Sequence, residues 1–102
     1  MADLMTSLDF KASLAGAAPA PNLDAPLAGL WWAAKGDWAA AHAVVQKHED
    51  DDECNWVHAH LHHQEGDMSN AGYWYRRAKK PVSTVSVPEE WTEVATELLS
   101  RK

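Results

Sequence analysis

Residues 56–81, WVHAHLHHQEGDMSNAGYWYRRAKKP, leave a chain of this kind few ways to fold. Cys54, Val57, His58, Leu61, His62 and Glu65 recur at i, i+3, i+4, i+7, i+8 and i+11, the spacing of one helical face. Gly66 can take the left-handed conformation that ends a helix without a Cβ penalty. Asp67 then suits an N-cap, because its carboxylate can accept from the free N–H groups of the next first turn. Met68, Ala71, Tyr75 and Ala78 mark a second stripe. Arg76, Arg77, Lys79 and Lys80 put cations at the negative end of that helix, and Pro81 cannot continue it. The stretch predicts an αα-hairpin.

The rest of the chain is consistent with one all-α domain. Alanine is abundant, alternating runs are nearly absent, and only residues 82–87 (VSTVSV) alternate, which predicts an extended connector. The 102 residues suffice for one core and not for two. A formal net charge of -6 argues against a general nucleic-acid binder. The lone Cys54 forms no internal disulfide, and the acidic start MADLMTSLDFK has no signal-peptide pattern. No apolar run reaches the ~20 residues of a membrane span. These features predict a soluble, cytoplasmic protein.

Taken in order, residues 1–21 predict a short helix and a Pro/Ala linker. The helix starts at Asp3 or Thr6 and ends at Leu14 or Ala15, with Thr6 and Asp9 as a capping box. Its inward stripe is expected to be Leu4, Leu8, Ala12 and Ala15. Residues 24–48 predict a first hairpin. Its first helix, LAGLWWAAK, tolerates Pro26 in the first turn and should bury Leu27, Leu30, Trp31 and Ala34. Gly36-Asp37 repeats the turn chemistry of Gly66-Asp67, and a helix from Trp38 to about Lys47 should turn Trp38, Ala41, Val44, Val45 and His48 inward or partly inward. Residues 49–53 (EDDDE) read as a solvated loop without the spacing of a calcium site. The second hairpin spans residues 54–81. Ser86 with Glu89 then caps a final helix over residues 86–101, burying Trp91, Val94, Ala95 and Leu98 with Glu89, Glu90, Glu93 and Glu97 toward water.

Gly36, Asp37 and Ala41 recur as Gly66, Asp67 and Ala71, an offset of 30 residues (66 minus 36). The pattern resembles the tetratricopeptide repeat, over roughly residues 24–81. One copy carries Gly29, Trp32, Gly36, Asp37, Trp38, Ala41 and Val45; the other carries Ala59, His62, Gly66, Asp67, Met68, Ala71, Tyr75 and Ala78. The first copy has His48 where that family has a late alanine, and the second has His58 and His62 where it has Leu and Tyr. With two hairpins, the terminal helices or another chain must cap the stack. The string HAxLHxxEGDxxNAxYWYxRA is also similar to a group of small bacterial proteins of no assigned function, so this resemblance implies no activity.

The histidine cluster HAHLHH is the chemically loaded stretch. On a helix His58 and His60 point 200° apart and cannot share a metal. His58 and His62 lie one turn apart with Glu65 on the same side, a set suited to a transition metal. The intervening Glu of an H-E-x-x-H peptidase is missing. The same spacing fits a buried, hydrogen-bonded polar network of His58, His62, Glu65 and Arg77, and the repeat favours this network.

Trp56, His60, His63 and Gln64 lie off the core stripe. The tetratricopeptide resemblance implies that they line a concave groove open to a protein or peptide. Arg76, Arg77, Lys79 and Lys80 beside Tyr73, Trp74 and Tyr75 offer a weaker RNA reading, against which the acidic balance counts. No nucleophile-base arrangement, phosphate-cradling loop or cofactor motif is present in the sequence. The leading expectation is therefore a non-catalytic helical-repeat interaction module, acting through hetero- or self-association. The alternative is a small metal-binding protein using His58, His62 and Glu65.

Overall fold

The computed structural model of the chain describes residues 6–101, which form six α-helices and no β-strand: α1 (Ser7–Ala12), α2 (Ala25–Ala34), α3 (Trp38–Val45), α4 (Asp52–Gln64), α5 (Met68–Ala78) and α6 (Val87–Ser100). Single 3-10 turns follow α1 at Ser13–Ala15 and α3 at Gln46–His48. The fold is all-α. No helix of the described residues is long and apolar enough to cross a membrane.

Two Gly-Asp turns set the path of the chain. Gly36 and Gly66 both have φ of +82°, a conformation that penalises any side chain. Behind each glycine the aspartate N–H reaches back over the turn, Asp37 to Trp32 O at 3.1 Å and Asp67 to His62 O at 2.9 Å. The same aspartates cap the following helices. Asp37 Oδ1 accepts from Ala40 N at 3.0 Å, and Asp67 Oδ1 from Asn70 N at 3.2 Å. One local device thus closes two hairpins, α2/α3 and α4/α5.

The hairpins meet where α2 and α3 pack against α4. Gly29 allows this approach, because a Cβ there would stand 2.6 Å from Val45 Cγ1 and 3.4 Å from Val57 Cγ1. Three indole N–H groups tie the layers together. Trp31 donates to Ser13 Oγ at 3.0 Å, Trp38 to Leu61 O at 2.7 Å and Trp91 to Leu30 O at 2.8 Å. Each indole contributes a large apolar face while its polar atom is satisfied.

Helix α6 begins with the expected capping box of Ser86 and Glu89 and lies across α2 and α4, the first helices of both hairpins. It therefore covers the side on which a groove was expected. The connector before it has no regular secondary structure and bends at Val85.

Four expectations about orientation are corrected. In α1 the inward residue is Phe10, wholly buried and stacked on Trp91 at 5.6 Å, whereas Leu8 is 78% exposed and Ala12 and Ala15 face solvent. Leu4 lies outside the described residues. A six-residue helix buries most area by turning its one aromatic inward, which overrides the Leu/Ala stripe. Ala34, the last residue of α2, and His48, which ends the 3-10 turn after α3, are exposed. Glu90, expected in water, is 3% exposed.

Candidate metal centre

The geometry of α4 divides its four histidines into two separate clusters. His58 and His62, four residues apart, share one side; His60 and His63 share another. His58, His60 and His62 are buried and His63 nearly so.

The first cluster faces α3, which supplies His42. Ring centroids of His42 and His58 are 4.6 Å apart, those of His58 and His62 5.1 Å, and those of His42 and His62 5.9 Å. One nitrogen from each ring lies within 4.8 Å of the other two. Three nitrogens around one metal at ~2 Å each would be within ~4 Å of one another, so the observed spread comes close to a ligand set. Trp38 stacks on His42 at 4.7 Å and Trp74 on His58 at 3.8 Å, holding both imidazoles by their faces.

Two of the three imidazoles, His42 and His58, are held toward their neutral form. Burial first, and the neighbouring His42 and His62 second, push His58 down to about 3. His42 is lowered by burial and by His62, against a smaller opposing effect of Glu65. His58 Nδ1 is buried and has no protein partner. His62 Nδ1 lies 2.6 Å from Glu65 Oε1, so the carboxylate accepts from Nδ1 and leaves Nε2 as the nitrogen open to a metal. Metal-binding imidazoles are commonly oriented by such a second partner.

The second cluster is differently built. Glu90 of α6 enters between α4 and α5, and its Oε1 accepts from His60 Nδ1 at 2.7 Å and from His63 Nδ1 at 2.8 Å. Its Oε2 accepts a hydrogen bond from the Tyr75 hydroxyl. Burial would raise this carboxyl, but the bonds from His60, His63 and Tyr75 outweigh it and hold the group below its usual range. Tyr75 is pushed up, by burial first and by its bond to Glu90 second. The three donors explain how a glutamate sits in this core.

The residues singled out from the sequence are distributed as follows. Of the expected polar network, His58 and His62 are together and Glu65 joins through His62, though its side chain is 41% exposed. Arg77 is separate and exposed, donating to Tyr73 Oη and Glu49 O. Of the expected groove residues, His60 and His63 turn inward to Glu90 and are not presented to solvent. Trp56 is buried with Lys80 Nζ 4.1 Å from its ring centroid, and Gln64 donates to Ala33 O at 3.0 Å. The cause is α6, which occupies that side. Around the basic end of α5, Trp74 and Tyr75 are buried, Lys79 pairs with Asp52 at 2.9 Å and Lys80 with Glu97 at 2.6 Å. Cys54 is buried, and burial followed by Asp51 pushes its thiol up, which disfavours the nucleophilic thiolate.

Sequence reasoning missed His42 and Glu90. His42 stands four residues after Trp38 and three before Val45, on the inward face, and that spacing was available as a signal. Glu90 stands four residues before Val94 on the buried stripe of α6, but its charge pointed the other way.

Fold and site together define an all-α hairpin protein with two histidine clusters in its core. Comparison with protein-family models, curated proteins and solved structures gives no match.

Proposed function

We propose that the chain is a small transition-metal-binding protein whose ligands are His42, His58 and His62. The observation that carries this reading is the convergence of three imidazoles from two hairpins, with Glu65 orienting one of them. Relative to the sequence expectation, His42 replaces Glu65 as a ligand and Glu65 becomes the support of His62. An all-imidazole set suits zinc, copper(II) or nickel and not calcium or magnesium, which take oxygen ligands. Three protein ligands leave a further position for water or a small ligand. A bound ion would join α3 to α4 and so clamp one hairpin to the other. The repeated Gly-Asp turn supports a tetratricopeptide-like scaffold as part of this reading.

The test is calorimetric titration of metal-stripped protein with zinc, repeated on His42→Ala, Glu65→Gln and His48→Ala. His42→Ala should abolish measurable binding, Glu65→Gln should weaken it by roughly tenfold or more, and His48→Ala should leave it unchanged. Equal binding by His42→Ala and the parent sequence would remove the assignment.

A second reading, protein contact, is supported by the outer face of α5. There Tyr73 is 44% exposed, with the Arg77 guanidinium 5.9 Å from its ring. Self-association through this face predicts a concentration-dependent mass in light scattering that Tyr73→Ala abolishes. A constant monomer mass would end it.

A further inference from the structure

A groove runs between α1 and α6 in two joined compartments, of about 310 and 100 Å³. Lys11, Trp91 and Thr92 line both. Leu8 and Ala95 lie in the smaller, and Leu14, Val87 and Pro88 in the larger, whose wall includes Ala33 and Ala34 of α2. We propose that this groove binds a straight-chain carboxylic acid of medium length, its carboxylate paired with the Lys11 ammonium and its chain along the apolar wall. The proposal is independent of the metal and protein-contact readings, since none of their residues lines the groove.

The shape follows from how the two segments pack. From the smaller compartment to the larger, the lining positions rise through 8, 11 and 14 and fall along α6 through 95, 91 and 87, so the segments run antiparallel with the groove between them. Eight residues of α6 (95 minus 87) at ~1.5 Å each make it about 12 Å long. An elongated space with an apolar wall suits an extended alkyl chain. Leu8, 78% exposed, carries that wall out to solvent.

The charge of the head group follows from Lys11. In a chain of net charge -6, no aspartate or glutamate lines either compartment among the described residues. The acids beside these positions are engaged elsewhere: Asp9 and Glu89 close capping boxes, and Glu93 lines the other flank of α6. Among the described residues Lys11 has no carboxylate partner, whereas Lys79 and Lys80 pair with Asp52 and Glu97. One ammonium matches one negative charge, and its apolar stem can lie along the groove. No second lysine or arginine lines the groove among the described residues, so a doubly charged phosphate head is not matched. The other polar groups of the wall are bonded or shut in. Thr92 Oγ1 donates to Pro88 O, Gln64 gives its amide to Ala33 O, Trp91 gives its indole N–H to Leu30 O, and His60 is 0% exposed.

The experiment titrates the full chain with octanoate, octanol and octylamine by calorimetry, and repeats the titrations on Lys11→Met, which keeps the apolar stem. Octanoate should bind, and octylamine should bind about fivefold more weakly. Lys11→Met should lower the ratio of octanoate to octanol affinity about fivefold and leave octanol itself within about twofold. Added salt should lower the same ratio in the parent chain. Ala34→Phe and Thr92→Phe, both at solvent-exposed wall positions, should fill the space and abolish octanoate binding. Two such variants guard against one failing to fold. Failure of octanoate to bind, a ratio unmoved by Lys11→Met, or undiminished binding in a folded filling variant would each overturn the proposal. So would a dimer in light scattering that Thr92→Phe breaks and octanoate does not, which would seat a second copy of the chain in the groove.

Discussion

Replacing Glu90 by glutamine tests how the second histidine cluster holds α6 in place. The side chain is 3% exposed, and its oxygens take hydrogen bonds from His60, His63 and Tyr75. Hydrogen bonds to a charged group are worth ~1.5–3 kcal/mol and neutral ones ~0.5–1.5, so three conversions forfeit about 3 kcal/mol. Relief from burying a charge returns part of this, and a net loss of about 2 kcal/mol is expected at pH 7. For a chain of this size that is a fall in Tm of roughly 10 °C. The assay is urea denaturation followed by circular dichroism at 222 nm, with exposed Glu93→Gln as control. The pH dependence fixes the sign. The folded protein holds Glu90 below the usual carboxylate range, so its contribution is complete above the unfolded value of ~4.3. It is lost as the pH falls through the lower folded value. The gap between parent and Glu90→Gln should therefore be constant from about pH 5 upward and close in acid. A gap below ~0.5 kcal/mol at pH 7, the scatter of ordinary surface changes, or one that widens in acid, would refute the reasoning.

Three further substitutions probe the scaffold by the same denaturation assay. Phe10→Ala should cost about 3 kcal/mol, because the ring is wholly buried against Trp91, while Leu8→Ala should change stability by less than ~0.5. Gly72→Ala should stabilise by about 0.5–1 kcal/mol: a Cβ there meets only the flexible tip of Arg76 at 3.7 Å, and α5 gains helix propensity. Gly29→Ala should instead destabilise by ~1–2 kcal/mol despite the same propensity gain, since its Cβ would stand 2.6 Å from Val45 Cγ1.

The turns were legible because their chemistry is local. A left-handed glycine followed by a capping aspartate specifies a helix end and a helix start whatever surrounds them, and both copies formed as read. The capping boxes at Thr6 and Ser86 were legible for the same reason. What escaped the sequence depends on which helix covers which. His60 and His63 lie off the hydrophobic stripe of α4, yet α6 crosses that side and turns it into core. That helix brought Glu90 with it, and a glutamate becomes tolerable inside only when three donors from two other helices await it. By charge alone Arg77 could serve as a partner of Glu65, but it donates to Tyr73 and to Glu49 O ahead of α4 instead. His42 shows the opposite failure. Its spacing from Trp38 was visible, but its value appears only when α3 is laid against His58 and His62.

Zinc titration of metal-stripped protein, followed by NMR of the six histidine side chains, tests the three-imidazole centre most directly. Saturation at one equivalent, with the ¹⁵N resonances of His42, His58 and His62 moving together and those of His48, His60 and His63 staying in place, is the predicted result. Movement of exposed His48 alone, or no movement up to several equivalents, would contradict it.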